Sequence, residues 1–455
     1  MCYVFYDFET SGTDLLDQIL AFAFVQTTVA YQKQEQLVGL IKLTALQWPH
    51  PQAIATNKLS IETLQNTGIP EWEAAEKIHS FLQKRIDTHG RITLIGYNSA
   101  HFDWEFLNSL FIRHGLSPYF MGKISHVDLL YVMRHCYFQH YTTFALPHKT
   151  SSTGHRYVSM TLEAVSQALH ILNTKQTHDA LDDVHLCIAL AQKIEAQWNV
   201  SPQTHRAHNL SHCQPWRIYR QKVLHFANSP QDIQPYVWKY WVPIAQEKNG
   251  GLALDLQWWA DHEYTDPKDA LKYSNQTRHD FWLEEVPDTE IPPPIQEAYQ
   301  TAISTPELLT MSMSTYFETP LTWDIAYQLH ALGFKRIDAL RYHIRQLLKN
   351  PDDHTAIVTP LWQNRKDQKD YYLVQLLNRA YLAIHPNPKQ EHLQKYIRAR
   401  YIDGPMYRNP ENKPNRESDI AWVENALQTC DANMQEILYP LLVYYREFLD
   451  IPIPK

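Results

Sequence analysis

The first residues suited to chemistry are acids. Asp7 and Glu9 lie two positions apart in Tyr6-Asp7-Phe8-Glu9-Thr10, in a stretch that reads as a strand from Val4 to Phe8. At strand spacing both point to one face, while Tyr6 and Phe8 take the other. Like charges beside apolar neighbours repel, and burial adds to their cost. A hard divalent cation removes that cost, and an oxygen donor set suits Mg²⁺ or Mn²⁺. Taken alone, a D-x-E pair reads more readily as two solvated acids at a strand end.

Two further segments change the reading. Gly96-Tyr97-Asn98-Ser99-Ala100-His101-Phe102-Asp103 follows an apolar strand and opens an amphipathic helix. Gly96 permits close backbone approach or a positive φ, and Asn98 is a turn former. Asp103 then stands at a strand-to-helix edge, either as a further metal ligand or as an ordinary first-turn acid. In His178-Asp179-Ala180-Leu181-Asp182-Asp183-Val184, the helix that follows buries Val184, Cys187, Ile188, Ala191 and Ile194. Asp183 lies four residues before Cys187, on the edge of that stripe, and Asp182 is turned a further ~100° toward water. His178 sits near the helix start, over the same cleft. The plainer alternatives are an acidic N-terminal turn and a surface histidine.

The elements that must hold these groups follow from periodicity. Residues 1–198 alternate strands (Val4–Phe8, Ile19–Thr28, Leu37–Leu43, Ile92–Tyr97) with helices (Glu71–Lys84, Trp104–His114, Thr161–Leu169, His178–Trp198), the pattern of an α/β domain. Residues 199–290 crowd Trp216, Trp238, Trp241 and Trp258 between turn signals at Asn228-Ser229-Pro230 and Asn249-Gly250-Gly251, and read as a small, mainly β domain. Glu284–Pro294 reads as a linker, because consecutive prolines cannot sit inside a helix. Residues 291–455 read as mostly helical, over Ile325–Leu347, Tyr372–Ile384, His392–Tyr401 and Ile420–Leu449, with an exposed loop at Asp403–Asn415.

Composition bounds the rest. The 455 residues exceed the roughly 250–300 that one core accommodates, so two or three domains are expected. With 44% hydrophobic and 12% aromatic residues, global disorder is excluded. No apolar run reaches about 18 residues, so no membrane span is expected, and Met1–Asp7 has no readable secretory signal. Five scattered cysteines, never in C-x-x-C spacing, argue against a zinc ribbon and for a reducing compartment. A net charge of −8 excludes a wholly basic nucleic-acid coat but leaves room for local grooves. Two basic groups could line one: Arg217, Arg220, Lys222, Lys239 and Lys248, and the stripe Lys335, Arg336, Arg341, Arg345.

In this order and on these elements, Asp7, Glu9, Asp103, His178 and Asp183 resemble the DEDD superfamily of exonucleases, histidine subclass. There the first two acids share a strand, the next acid ends G-Y-N-x-x-x-F-D, and H-x-x-x-x-D supplies the histidine and the last aspartate. Within it, the spacers are similar to the bacterial exonuclease I family. Asp7-Phe8-Glu9-Thr10-Ser11-Gly12-Thr13 matches its D-x-E-T-x-G-T opening. Thr67-Gly68-Ile69-Pro70 and Val127-Asp128-Leu129-Leu130 with Arg134-His135-Cys136-Tyr137 look like two further segments of that family. The motifs cover about residues 1–200. Ser11 stands where the family usually has an aromatic residue, which bears on contacts to the terminal nucleotide.

The resemblance implies an RNase H-like exonuclease domain with a mixed sheet, then a small SH3-like β domain and a helical domain. It implies 3′–5′ hydrolysis of single-stranded DNA to nucleoside 5′-monophosphates, in DNA repair or recombination. Two Mg²⁺ ions, replaceable by Mn²⁺, would lie roughly 3.5–4 Å apart on Asp7, Glu9, Asp103 and Asp183. His178 would take the proton from the attacking water. Glu9 and Thr10 would hold the terminal 3′-hydroxyl, and Phe102 or Trp104 would meet a base. The expected partner is a DNA single strand with a free 3′ end, together with single-strand-binding protein, for a monomeric cytoplasmic enzyme. The motifs read metal and phosphate rather than the 2′-hydroxyl, so an RNA exonuclease of the same superfamily stays open, as does a non-catalytic strand-binding scaffold.

Overall fold

The computed structural model describes residues 1–152, 154–173, 176–202, 213–225, 236–247, 250–275, 283–312, 334–385, 388, 390–402 and 415–449. The turn expected at Asn228–Pro230, Lys248, the helix expected over Ile325–Leu332, and residues 403–414 of the expected loop lie outside them.

Strand β1 (Cys2–Thr10) is the middle of a five-stranded mixed sheet. It pairs antiparallel with β2 (Ile19–Thr27), which pairs antiparallel with β3 (Lys33–Leu40) at the edge. On its other side it runs parallel to β4 (Ile92–Gly96), followed by β5 (Ile124–Asp128). Burial on both faces explains the near-continuous apolar run in β2. Along β1, Val4, Tyr6 and Phe8 join the core beneath the Glu71–His89 and Asp103–Arg113 helices. Tyr3 and Phe5 join the opposite core, under Leu129–His140 and Ala180–Trp198. The period of two therefore sends Asp7 and Glu9 toward the Ala180–Trp198 helix.

The third strand starts earlier than expected, at Lys33, with its polar first half exposed. A charged edge strand is consistent with its place at the sheet margin. Three helices, Pro51–Asn57, Ile61–Thr67 and Leu129–His140, and strand β5 were not legible as elements. A short hairpin, β6 (His148–Thr150) with β7 (Arg156–Val158), follows.

A second, antiparallel sheet has the order β11-β10-β9-β8-β12. Its strands are β8 (Tyr219–Leu224), β9 (Tyr236–Glu247), β10 (Gly250–Asp255), β11 (Leu271–Asn275) and β12 (Glu284–Glu285). The proline segment corrects the linker reading. Pro292 caps the Pro293–Ile303 helix, and the next two prolines occupy its first turn. There their missing N–H groups would have had no partner in any case. Ile295, Ala298 and Ala302 of that helix share one core with Val242, Leu252 and Trp259 of the second sheet unit, so this core runs past residue 290.

The remaining described helices are Phe334–Lys349, His354–Gln363, Gln368–Ile384, Gln390–Ile397, Arg416–Thr429 and Ala432–Leu449. The expected single run Ile420–Leu449 is broken at Cys430, which leaves the helix in extended conformation. These helices dock on the first sheet's flank. Trp48 stacks on Tyr445 at 4.1 Å, donates from Nε1 to Asp419, and its amide donates to the Tyr401 hydroxyl. Among the described residues no helix is long and apolar enough to cross a membrane.

One buried cluster fixes the loop that leaves β1. Arg113 donates to Glu71 at 2.9 Å and to the carbonyls of Leu15 and Asp17, while His114 lies 3.0 Å from the other Glu71 oxygen. Burial alone would raise the Glu71 pKa, but Arg113 and His114 outweigh it and hold the group at about 2. The folded value is below the ordinary 4.5, so the pair stabilises fully above about pH 4.5 and loses that contribution as pH falls toward 2. Thermal melts should therefore show a wild-type protein that weakens between pH 5 and pH 3. Glu71→Gln should cost about 3–5 kcal/mol at pH 7 and show a flatter acid limb.

Candidate active site

Three carboxylates converge at the open end of β1. One oxygen from each of Asp7, Glu9 and Asp183 lies within 4.8 Å of the others. The first two come from one face of β1 and the third from the first turn of the Ala180–Trp198 helix. Asp183 is buried and Asp182 is exposed, where it accepts from the Thr177 hydroxyl, so the helical phase is as the sequence implied. Asp179 caps the same helix through the amides of Leu181 and Asp182. His178 precedes that cap, half-buried, with φ at 56°.

Asp103 approaches from the other side. It is buried in the first turn of its helix and accepts from the Phe8 amide at 3.1 Å, between the two acids of β1. It stands outside the tight group of three but acts on it electrostatically. The turn before it is built around close packing. A Cβ on Gly96 would fall 2.6 Å from the Ser99 side chain, so the first of the two roles open to this glycine is the one used. Asn98 holds φ at +55°, which Asn tolerates well.

Sequence reasoning missed the residue that fixes this turn. Asp128, at the end of β5, accepts from the amides of Asn98 (2.8 Å), Ala100 (2.9 Å) and Leu130 (2.9 Å). Burial raises its pKa to about 6 against the pull of those three donors. Gln176 was also missed; its side-chain amide donates to Asp183 at 2.6 Å. Nothing in the local sequence around Gln176 marks it.

The field in this pocket is strongly negative. Burial, then Asp103, Asp183 and Glu9, push the Asp7 carboxyl well above its ordinary range. Burial and the neighbouring aspartates raise Glu9 to about 8, and burial raises Asp183 to about 6. Asp103 is likewise raised, by burial first. An all-oxygen donor set whose members resist ionising together fits a hard divalent cation, which favours the ionised form of each.

Other expected contacts are placed differently. Trp104 is 7% exposed and packs against His126 at 5.1 Å, so it belongs to the core and has no face for a base. Phe102 is half-buried beside Phe106. The Thr10 hydroxyl donates to the Gly12 carbonyl at 2.7 Å, and the pairing register shifts between Glu9 and Thr10. The supposed basic stripe is largely spent on acids. Arg336 pairs with Asp367 and Asp370, and Arg341 and Arg345 lie against Glu76. In the second sheet Arg220 pairs with Glu284 and Glu290, and Lys239 with Asp255. Lys222 instead lies over the rings of Tyr236 and Trp238.

Known proteins share part of this sequence and the whole of this fold. Residues 4–191 match the Exonuclease family. Exodeoxyribonuclease I of Escherichia coli K12 is 28% identical over 200 residues, 43% of this chain and 40% of that protein. The Buchnera aphidicola (subspecies Baizongia pistaciae) protein of the same name gives the same identity and shares. The chain thus spans about two fifths of the curated relatives it matches in sequence. In three dimensions the likeness runs further. The E. coli Exonuclease I complex with a dA16 oligonucleotide superposes with TM-score 0.66 at 18% identity, over 98% of this chain and 99% of that one. Exonuclease I from Methylocaldum szegediense gives TM-score 0.66 at 19% identity with the same coverage. The chain has the exonuclease I fold. The resemblance read from the motifs is borne out, and the exonuclease I architecture extends through the second sheet and the C-terminal helices. One E. coli Exonuclease I structure is a zinc-bound form with single-stranded DNA.

Removing one of the repelling charges should relieve the metal-free protein. With chelator present, Asp183→Asn is expected to melt a few degrees above wild type, while Asp182→Asn, in water, melts with it. Added Mg²⁺ should then stabilise the wild type and Asp182→Asn but not Asp183→Asn, as followed by thermal denaturation.

Proposed function

We propose that the chain is a metal-dependent 3′–5′ exodeoxyribonuclease that degrades single-stranded DNA to nucleoside 5′-monophosphates. The observation that carries the reading is the meeting of Asp7, Glu9 and Asp183 within 4.8 Å, backed by Asp103, at the open end of the central strand. The preference for DNA over RNA rests on relatives named exodeoxyribonuclease I and on neighbours solved with DNA oligonucleotides. We assign residues 1–198 to the chemistry and the residues after them to handling the strand, the second sheet with the Pro293–Ile303 helix on its core and then the C-terminal helices. By the same kinship, the setting is DNA repair or recombination in the cytoplasm, for a monomer that meets single-strand-binding protein.

Asp7, Glu9, Asp103 and Asp183 would hold two Mg²⁺ ions, for which Mn²⁺ can substitute. Bound there, the ions supply positive charge to the phosphoryl transition state and lower the pKa of the attacking water. The protein's own groups do the rest. Asp7, at the centre of the group, orients both halves of the site. His178 accepts the proton of the attacking water, a task suited to an imidazole whose ordinary pKa is near 6.5. The backbone at the Glu9–Thr10 register shift seats the terminal 3′-hydroxyl, so only a strand end fits. A paired end must first be unstacked, at a cost of a few kcal/mol.

The test is digestion of end-labelled DNA. We expect loss of nucleotides from the 3′ end of linear single strands with Mg²⁺, little digestion of RNA, no cutting of closed circles, and no reaction after chelation. Digestion of circles, or full activity without metal, would refute the reading. His178→Ala should lower kcat by about 10²–10⁴-fold with little change in DNA affinity. An unaltered pH–rate limb in that variant would place the base elsewhere.

A further inference from the structure

The loop that leaves the candidate active site is held from the far end of the chain. Arg400 is fully buried, with its Nη2 3.0 Å from Asp17 Oδ1 and its Nη1 3.8 Å from Asp14 Oδ1. Both aspartates are themselves buried, and 383 residues separate Asp17 from its partner. The second Asp17 oxygen accepts from the Asp14 amide at 2.9 Å and lies 4.0 Å from His50 Nε2. A Cβ on Gly12 would fall 2.3 Å from that same oxygen and 2.4 Å from the His50 ring. Gly12 is thus wedged against Asp17, and its carbonyl takes the Thr10 hydroxyl at 2.7 Å. Ser11 is tied into the same loop by reciprocal bonds with Gln18 and by the His50 amide. Arg379, from another C-terminal helix, reaches the Leu16 carbonyl at 3.4 Å.

We propose that Arg400 is a positioning residue for the strand-end seat: through Asp17 and Gly12 it sets the Thr10–Gly12 turn beside the carboxylates. The C-terminal helical unit is then part of the site's construction as well as a surface for the strand. A buried ion pair is weak support for stability, since apolar groups of similar volume often serve as well. What apolar groups would not supply is the hydrogen bond to Asp17 Oδ1 that, with the Asp14 amide on the other oxygen, fixes where Gly12 lies. Asp7 and Glu9 are placed separately, by the pairing of β1 with β2, where they stand opposite Ala23 and Ala21. Loss of Arg400 should therefore disturb the seat for the terminal nucleotide and spare the chemistry. This inference rests on the exonuclease reading for its kinetic consequence, but not for its structural one.

The experiment uses the full chain with Arg400→Met and Arg400→Lys. Amide hydrogen exchange over residues 10–18 should quicken roughly tenfold or more in Arg400→Met, with residues 3–8 unchanged. On 3′-hydroxyl oligonucleotides KM should rise about tenfold, with kcat within about threefold, and Arg400→Lys should recover part of both effects. If Arg400→Met does not fold, the charge-free Asp14→Asn/Asp17→Asn/Arg400→Met variant carries the test, with the same exchange and KM expected. A folded variant with wild-type exchange over residues 10–18 overturns the proposal. So does a fall in kcat at constant KM. Absence of nuclease activity in the wild type would overturn the exonuclease reading instead, and the exchange measurement would still decide the role of Arg400.

Discussion

Four carboxylates that repel one another have to be gripped from every side. Burial raises Asp7, Glu9, Asp103 and Asp183, neighbouring acids raise each of them further, and no lysine or arginine is among the causes acting on them. The scaffold answers with backbone rather than with countercharge. β1 is locked between an antiparallel and a parallel neighbour, the Ala180–Trp198 helix is capped by Asp179, and the turn before Asp103 hangs on two amides, those of Asn98 and Ala100, bound to Asp128. A site with its own arginine would be more stable empty and less able to hold a cation.

Much of that arrangement is legible in the chain because it depends on periodicity. The two-residue spacing of Asp7 and Glu9 assigns their face, and the stripe from Val184 to Ile194 separates Asp183 from Asp182. Directions that depend on distant partners are not legible. Asp128 caps the helix that starts at Leu129, and its grip on Asn98 and Ala100 exists only once β4 and β5 lie side by side. Trp104 stands next to Asp103 in sequence and points into the core, because the first turn of the helix rotates it away. The arginines at 336, 341 and 345 form the stripe seen in the sequence, but their acids sit on other helices.

The proline segment makes the same point about local rules. Three prolines forbid a helix interior but suit a helix start, and whether they end one element or open the next is decided by where the following apolar residues pack. Here Ile295, Ala298 and Ala302 close the core of the second sheet.

The stack of Trp48 on Tyr445 has a bearing on how the protein is made. The Tyr445 hydroxyl also binds the Pro49 carbonyl, across 396 residues of chain. At synthesis rates of about 5–20 residues per second, Trp48 emerges roughly 20–80 s before the helix that covers it. During translation the first sheet therefore carries an uncovered flank of Leu43, Trp48 and Ile54, covered later by Leu438, Leu441 and Phe448. A nascent chain in that state offers a sticky apolar surface to chaperones and to neighbouring copies on the same message. The Ala432–Leu449 helix is the one that ends this exposure.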